Sequence, residues 1–232
     1  MLIAPFINAK LWGTTYTELT NKKRKINFDI HIVAFIQSLV SIGICIPMFN
    51  HPMMHSDPVF GSYDFGVFCA SITCGYFIWD LFYCCIWHFD LFGFEYLFHA
   101  FAALVVFGTS LYPFCLPCVP VFLIFELSSP FVNIHWFLSR VPSGTVSDRF
   151  FLINGLLLMT TFFFSRIVWG FYAAVKMFLI CYSVKDQLPV YIIPMIFTLN
   201  IGLNYLNVVW FTKMVSIASK KMAKTKESDK VK

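Results

Sequence analysis

Six stretches of this sequence, near residues 30–49, 65–87, 92–112, 114–127, 150–177 and 190–214, are apolar enough to lie in lipid. A bilayer core of about 30 Å takes about 20 residues of helix, and in hydrocarbon every backbone N–H and C=O must be satisfied within the protein. The expected fold is therefore all-α, a polytopic membrane helix bundle of about six transmembrane helices. The fourth run has only 14 residues, follows Pro113 and contains Pro117 and Pro120, so it reads equally as tilted, broken or partly re-entrant. Composition agrees with a lipid solvent: of 232 residues 59% are hydrophobic and 12% charged, where a soluble domain has roughly one quarter charged. Too little polar sequence is left for a separate soluble domain.

The basic residues set an orientation. Lys22, Lys23, Arg24 and Lys25 stand before the first run, and Lys213, Lys220, Lys221, Lys224, Lys226, Lys230 and Lys232 lie at or beyond the end of the last. By the positive-inside rule both termini are expected in the cytoplasm, which requires an even number of crossings. Flanking a span, such clusters read as topology signals or anionic-lipid contacts, and no nucleic-acid partner is expected. Residues 1–21 form a short N-terminal segment without a signal-peptide pattern. Residues 22–218 form the membrane domain, and 219–232 are expected to be a basic, disordered tail.

Polar residues inside the runs point to a site, because a charge near the bilayer centre costs roughly 2.5–3.5 kcal/mol even on insertion scales. Asp80 lies seven residues before the end of the second run and His99 seven after the start of the third. At about 1.5 Å per residue both sit about 10 Å inside the same leaflet. Asn207 falls at a similar level in the sixth. Glu95, four residues before His99, shares its helical face and could orient the imidazole. Glu126 is expected at the cytoplasmic edge of the fourth run. Together these residues outline a polar pocket open to the cytoplasm, against the alternative of hydrogen bonds that merely hold the bundle together at roughly 0.6–2 kcal/mol each. Asn200, Asn204 and Asn207 line one face of the sixth run, as glue between helices or as cavity lining. Arg166, read as lying beyond the centre of the fifth run, would hold a lipid phosphate or complete a structural pair.

Eight cysteines form no framework, and the Cys115–Cys118 spacing alone is a weak signal for redox or zinc chemistry. His51, His55 and Asp57 fit no zinc signature, so no metal is expected. Phosphate-loop, nucleophile-elbow and His-Glu-x-x-His motifs are absent.

The order of motifs resembles the TLC domain family. Ile26-Asn27-Phe28-Asp29-Ile30-His31 opens the first run, Gly75-Tyr76-Phe77-Ile78-Trp79-Asp80 lies in the second, and Glu95-Tyr96-Leu97-Phe98-His99 opens the third. Glu126-Leu127-Ser128-Ser129-Pro130-Phe131-Val132-Asn133-Ile134-His135-Trp136-Phe137-Leu138 resembles the acidic, Ser, Pro-Phe, Asn, Trp signature of the branch that lacks ceramide synthases, most like its fungal members. The resemblance implies a multi-pass protein of lipid metabolism in the endoplasmic reticulum or another endomembrane. It singles out Ser128, Pro130, Asn133, Trp136 and Arg140 as a cytoplasmic motif. Ceramide synthases of the family use an adjacent His pair for acyl transfer, and here Ala100 follows His99.

Two functions follow. In the first, membrane lipids are the partners: a lipid or acyl chain is held by Asp80, Glu95, His99, Glu126, Asn207 and Arg166 in a site of membrane lipid homeostasis, without a cofactor. In the alternative the protein is an acyltransferase with acyl-CoA as co-substrate. His99 would then act as general base, Asp80 or Glu95 would orient it, and Arg140 and Arg149 would draw in the anionic CoA.

Overall fold

The computed structural model describes residues 2–112, 114–142 and 144–230, with side chains described through 221. Six helices are long and apolar enough to cross a membrane: Lys22–Phe49, Asp64–Ile86, Phe89–Thr109, Leu116–Leu138, Asp148–Ser183 and Ile192–Lys221. They are called the first to sixth spans below. No strand occurs among the described residues, and the fold is the all-α polytopic bundle.

Local chemistry sets the span boundaries. Asn21 caps the first span by accepting the Arg24 N–H at 3.2 Å, and Ser147 caps the fifth by accepting the Phe150 N–H at 3.2 Å. Each cap satisfies an N–H that the helix itself leaves free. The chain turns at Trp87 and His88 between the second and third spans, and the third is kinked near its start at Gly93, whose φ of 73° suits a residue without a Cβ. In the interior, small residues let the backbones approach: Cys69, Ala70, Ala102 and Ala103 are almost completely buried. The outward faces carry large apolar side chains such as Phe68, Phe82, Leu152, Leu156, Phe164 and Ile201. Lys23 pairs with Asp90 at 2.5 Å, Lys213 pairs with Glu95, and Lys221 covers the Phe151 ring. These contacts gather the basic residues flanking the first and last spans at one end of the bundle, called the basic end below, while Lys176 and Lys185 stand toward the other.

The fourth span departs from the sequence reading. It runs from Leu116 to Leu138, so the residues from Ser128 to Leu138 continue a segment long and apolar enough to cross a membrane. Glu126 therefore stands in the middle of that span, not at its edge. The charge and the Ser-Ser-Pro sequence suggested a helix end, but the chain only tightens to a 3₁₀ turn over Ile124–Ser128 before Ser129–Leu138 resumes as α-helix. Pro130 is accepted there because it lies in the first turn. Carbonyls freed by the tightening find donors on the fifth span: Trp169 Nε1 donates to Val121 O at 2.8 Å, and Arg166 Nε to Phe125 O at 3.1 Å.

Two further differences lie at the ends of the chain. Residues 219–230, expected to be disordered, continue the helix Ile192–Lys230 in their backbone, since Lys, Ala, Met and Glu extend an existing helix readily. Val231 and Lys232, and the side chains of Lys224, Lys226 and Lys230, lie outside what is described, as does Pro113. At the N-terminus the helix Ala4–Trp12 and the turn Thr14–Thr17 pack on the basic end. Asn8 and the Tyr16 hydroxyl both donate to Asp29 Oδ1 at 2.8 Å, and Trp12 stacks on Phe137 at 4.9 Å.

Candidate functional site

A guanidinium in the bundle interior organises the site. Arg166 is 7% exposed and sits in a π-helical stretch, Phe163–Val168, of the fifth span. Its Nε donates to Phe125 O at 3.1 Å and to Ser128 Oγ at 2.9 Å, and its Nη2 to Ser129 Oγ at 3.0 Å. Glu126 Oε1 lies 3.8 Å from Nη2, so the two charges offset one another in a place where each alone would be very costly. Arg166 is thus level with the middle of the fourth span, not displaced toward the far side. Its Nη1 has no hydrogen-bond partner among the described residues, and the guanidinium lies over the Phe162 ring at 5.2 Å.

Arg166 and Glu126 line a cavity of about 50 Å³ together with His99, Asn200 and Asn207. His99 and Asn207, expected at similar levels in their runs, thus stand at one cavity. A second cavity of about 40 Å³ lies farther from the basic end and shares Val106, Phe107, Phe122 and Asn200 with the first. Its remaining wall is mainly apolar, including Met177, Ile196 and Phe197. A largely apolar chamber with a few polar side chains in its wall therefore adjoins a more uniformly apolar one. Each has room for a few waters, and both are far smaller than the roughly 300–1,000 Å³ of a pocket for a drug-sized ligand.

Two expected members of the site are not in this lining. Glu95 accepts from Lys213 Nζ at 2.6 and 2.8 Å and from Trp210 Nε1 at 3.0 Å. A cation and an indole donor on the sixth span outbid the imidazole one turn away, so Glu95 does not orient His99. The Trp210 ring stands edge-on to His99 at 5.3 Å and stacks on Tyr96 at 5.4 Å. It thereby stands between His99 and the basic end, where an open mouth was expected. Asp80 begins the other π-helical stretch, Asp80–Ile86; its carboxyl group faces the Cys84 thiol and lies within electrostatic reach of Glu126. The ring nitrogens of His99 have no hydrogen-bond partner among the described residues.

The signature following Glu126 is divided between two tasks. Ser128 and Ser129 hold Arg166. Asn133 instead joins the fourth span to the first: its Oδ1 is 2.8 Å from His31 Nδ1, and its Nδ2 donates to Ser129 O at 2.9 Å. Trp136 stacks on the His31 ring at 3.9 Å, and the Arg140 guanidinium covers Trp136 at 4.3 Å. Burial, then the nearby Arg24, lowers the Arg140 pKa below its ordinary value. Arg140 also donates to Trp136 O and Ser139 Oγ. On the sixth span Asn204 donates to Asn200 of the same helix, and its Oδ1, without a hydrogen-bond partner among the described residues, stands against Gly170 of the fifth, while Asn200 and Asn207 face the cavity.

Sequence reasoning missed the two π-helical stretches, which each carry a charged residue and for which composition holds no signal. It also missed the clasp of Asn8, Tyr16 and Asp29. There a signal did exist, since Asp29 inside the start of an apolar run needs donors. No group of three or more metal-ligating side chains occurs among the described residues.

Comparison with known proteins places this arrangement among relatives. A family model described as TLC domain matches residues 27–216. The chain is 40% identical over 233 residues to topoisomerase I damage affected protein 4 of Saccharomyces cerevisiae, spanning 99% of this chain and 82% of that one. It is 31% identical over 227 residues to an uncharacterized TLC domain-containing protein of Schizosaccharomyces pombe, spanning 98% and 77%. To the human TLC domain-containing protein 4 it is 28% identical over 201 residues, spanning 83% and 74%. No solved structure matches.

Proposed function

This chain belongs to the TLC domain family, and from that premise we propose that it acts in membrane lipid homeostasis by binding an amphipathic lipid inside the bundle. The polar head is held by Arg166, Glu126, His99 and Asn207, and an acyl chain extends along the apolar second cavity. The observation that carries this reading is a buried guanidinium with a free Nη1 at the head of a chamber that continues between apolar walls. An anionic oxygen is the natural partner of that N–H. Both chambers are contracted, so the lipid enters as the fifth and sixth spans part, with Trp210 shielding the site from the basic end.

In this reading the protein is oriented by its basic residues, with both termini in the cytoplasm, and resides in the endoplasmic reticulum or another endomembrane. Acyl transfer is the less supported alternative. His99 has no carboxylate to orient it, Glu95 being committed to Lys213 and Trp210, and Ala100 occupies the place of a second His.

Native mass spectrometry of the full chain, purified in detergent from cells, tests the proposal. Wild type is expected to retain one class of lipid. Arg166→Gln is expected to retain at least about tenfold less, the equivalent of about 1.4 kcal/mol. Equal lipid content in the two proteins, each shown to be folded, overturns the reading. Transfer of label from acyl-CoA to lipid by wild type and not by His99→Ala would favour the enzyme instead.

A further inference from the structure

The Cys115 and Cys181 sulfurs are 3.6 Å apart, although the residues are 66 positions apart in sequence. Cys115 stands just before the fourth span and Cys181 near the end of the fifth, both at the end of the bundle opposite the basic end. The pair suggested by spacing in the sequence, Cys115 with Cys118, is not the pair brought together: the Cys118 thiol turns to Pro58 O at 3.5 Å. The position of Cys115 is held deliberately. Its φ of 57° is the only left-handed value at a non-glycine residue among those described, a conformation that persists only where its surroundings impose it. Its N–H donates to Val59 O at 2.7 Å. Cys115 is partly exposed and Cys181 is 1% exposed, so a reagent meets Cys115 first. By contrast Cys69 and Cys85 are packed in the interior as small apolar side chains.

We infer that Cys115 and Cys181 form a reversible disulfide joining the start of the fourth span to the end of the fifth. Closing from 3.6 Å to the roughly 2.05 Å of an S–S bond takes about 1.5 Å, within reach of side-chain rotation. The oxidant is a small disulfide such as oxidised glutathione. The Cys115 thiolate attacks one of its sulfurs, forming a mixed disulfide and releasing one small thiol; Cys181 then attacks Cys115 Sγ and releases the second. The two protein sulfurs give up two electrons, the reagent's S–S bond accepts them, and the two thiol protons end on the two released thiols. In the orientation proposed above this end faces the lumen, where disulfides persist, but the pairing itself rests on geometry alone. The linked segments carry Glu126 and Arg166, and Cys115 and Cys181 both line the second cavity. The bond therefore limits how far the fourth and fifth spans separate at that end.

The test uses the full chain in detergent, reduced, freed of reductant and then exposed to oxidised glutathione, with peptides mapped without reduction. The expected result is a Cys115–Cys181 linked peptide, two fewer free thiols per chain and a higher unfolding temperature. The link should persist in Cys118→Ser, whereas in Cys181→Ser glutathione should remain on Cys115. A Cys115–Cys118 link, glutathione retained on Cys115 in wild type, or an unchanged thiol count overturns the inference. None of these outcomes depends on whether lipid binds.

Discussion

Arg166 has donors pointing in several directions and almost no exposure, so its neighbours divide its needs among them. The phenyl-flanked Phe125 carbonyl and two serine hydroxyls accept hydrogen bonds, and Glu126 supplies the counter-charge at 3.8 Å. A lysine keeps the charge but cannot present the same planar fork. Arg166→Lys is therefore expected to destabilise the folded protein by about 1.5–3 kcal/mol, the range for a hydrogen bond to a charged group. Glu126→Gln removes the carboxylate paired with Arg166 at 3.8 Å and is expected to cost more, about 3–5 kcal/mol. Chemical unfolding in detergent measures both; a Glu126→Gln variant as stable as wild type would mean that the pair does not neutralise itself. At this scale the identities of the site residues were legible, because a charge inside an apolar run is visible in any sequence. Their partners were not. Glu95 and His99 share a helical face, yet Lys213 and Trp210, more than a hundred residues away, take the carboxylate.

At the scale of elements, the misread parts are those where the regular helix changes pitch. The fourth span looked too short because its middle carries Glu126, two serines and a proline, which locally resemble a helix end. In the fold these groups are satisfied from the fifth span, and the helix continues through them. The π-helical stretches at Asp80 and Arg166 shift the register of the residues that follow, and no periodicity in an almost uniformly apolar run reveals such a shift. The N-terminal segment was legible only as polar sequence, whereas it folds onto the first and fourth spans through Asp29. Burial and the Asp29 carboxylate push the Tyr16 hydroxyl pKa well up, so the hydroxyl stays protonated as a donor. Tyr16→Phe should destabilise this clasp by about 1.5–3 kcal/mol, and limited proteolysis should then cut sooner within residues 13–21. Unchanged cleavage would show that the segment is held by its apolar contacts alone.

Across the whole molecule, six apolar runs and two basic flanks were enough to read the bundle, since hydrocarbon leaves a helix few alternatives. His99 and Asn207, read at a similar level, line one cavity, although the sixth span runs to Lys221 where residue 214 was expected. Depth was not legible for Glu126 or Arg166, because the fourth span extends eleven residues beyond Leu127. The resulting architecture places a buried cation in the wall of one chamber that adjoins a second, apolar one. An electron cryo-microscopy map of the protein in nanodiscs made with cellular lipids examines that junction directly. The account predicts head-group density within hydrogen-bond distance of Arg166 Nη1 and an acyl chain running past Phe107 and Phe197, with the fifth and sixth spans farther apart than here. A well-resolved interior holding only water at Arg166, with the two chambers still closed, would contradict it.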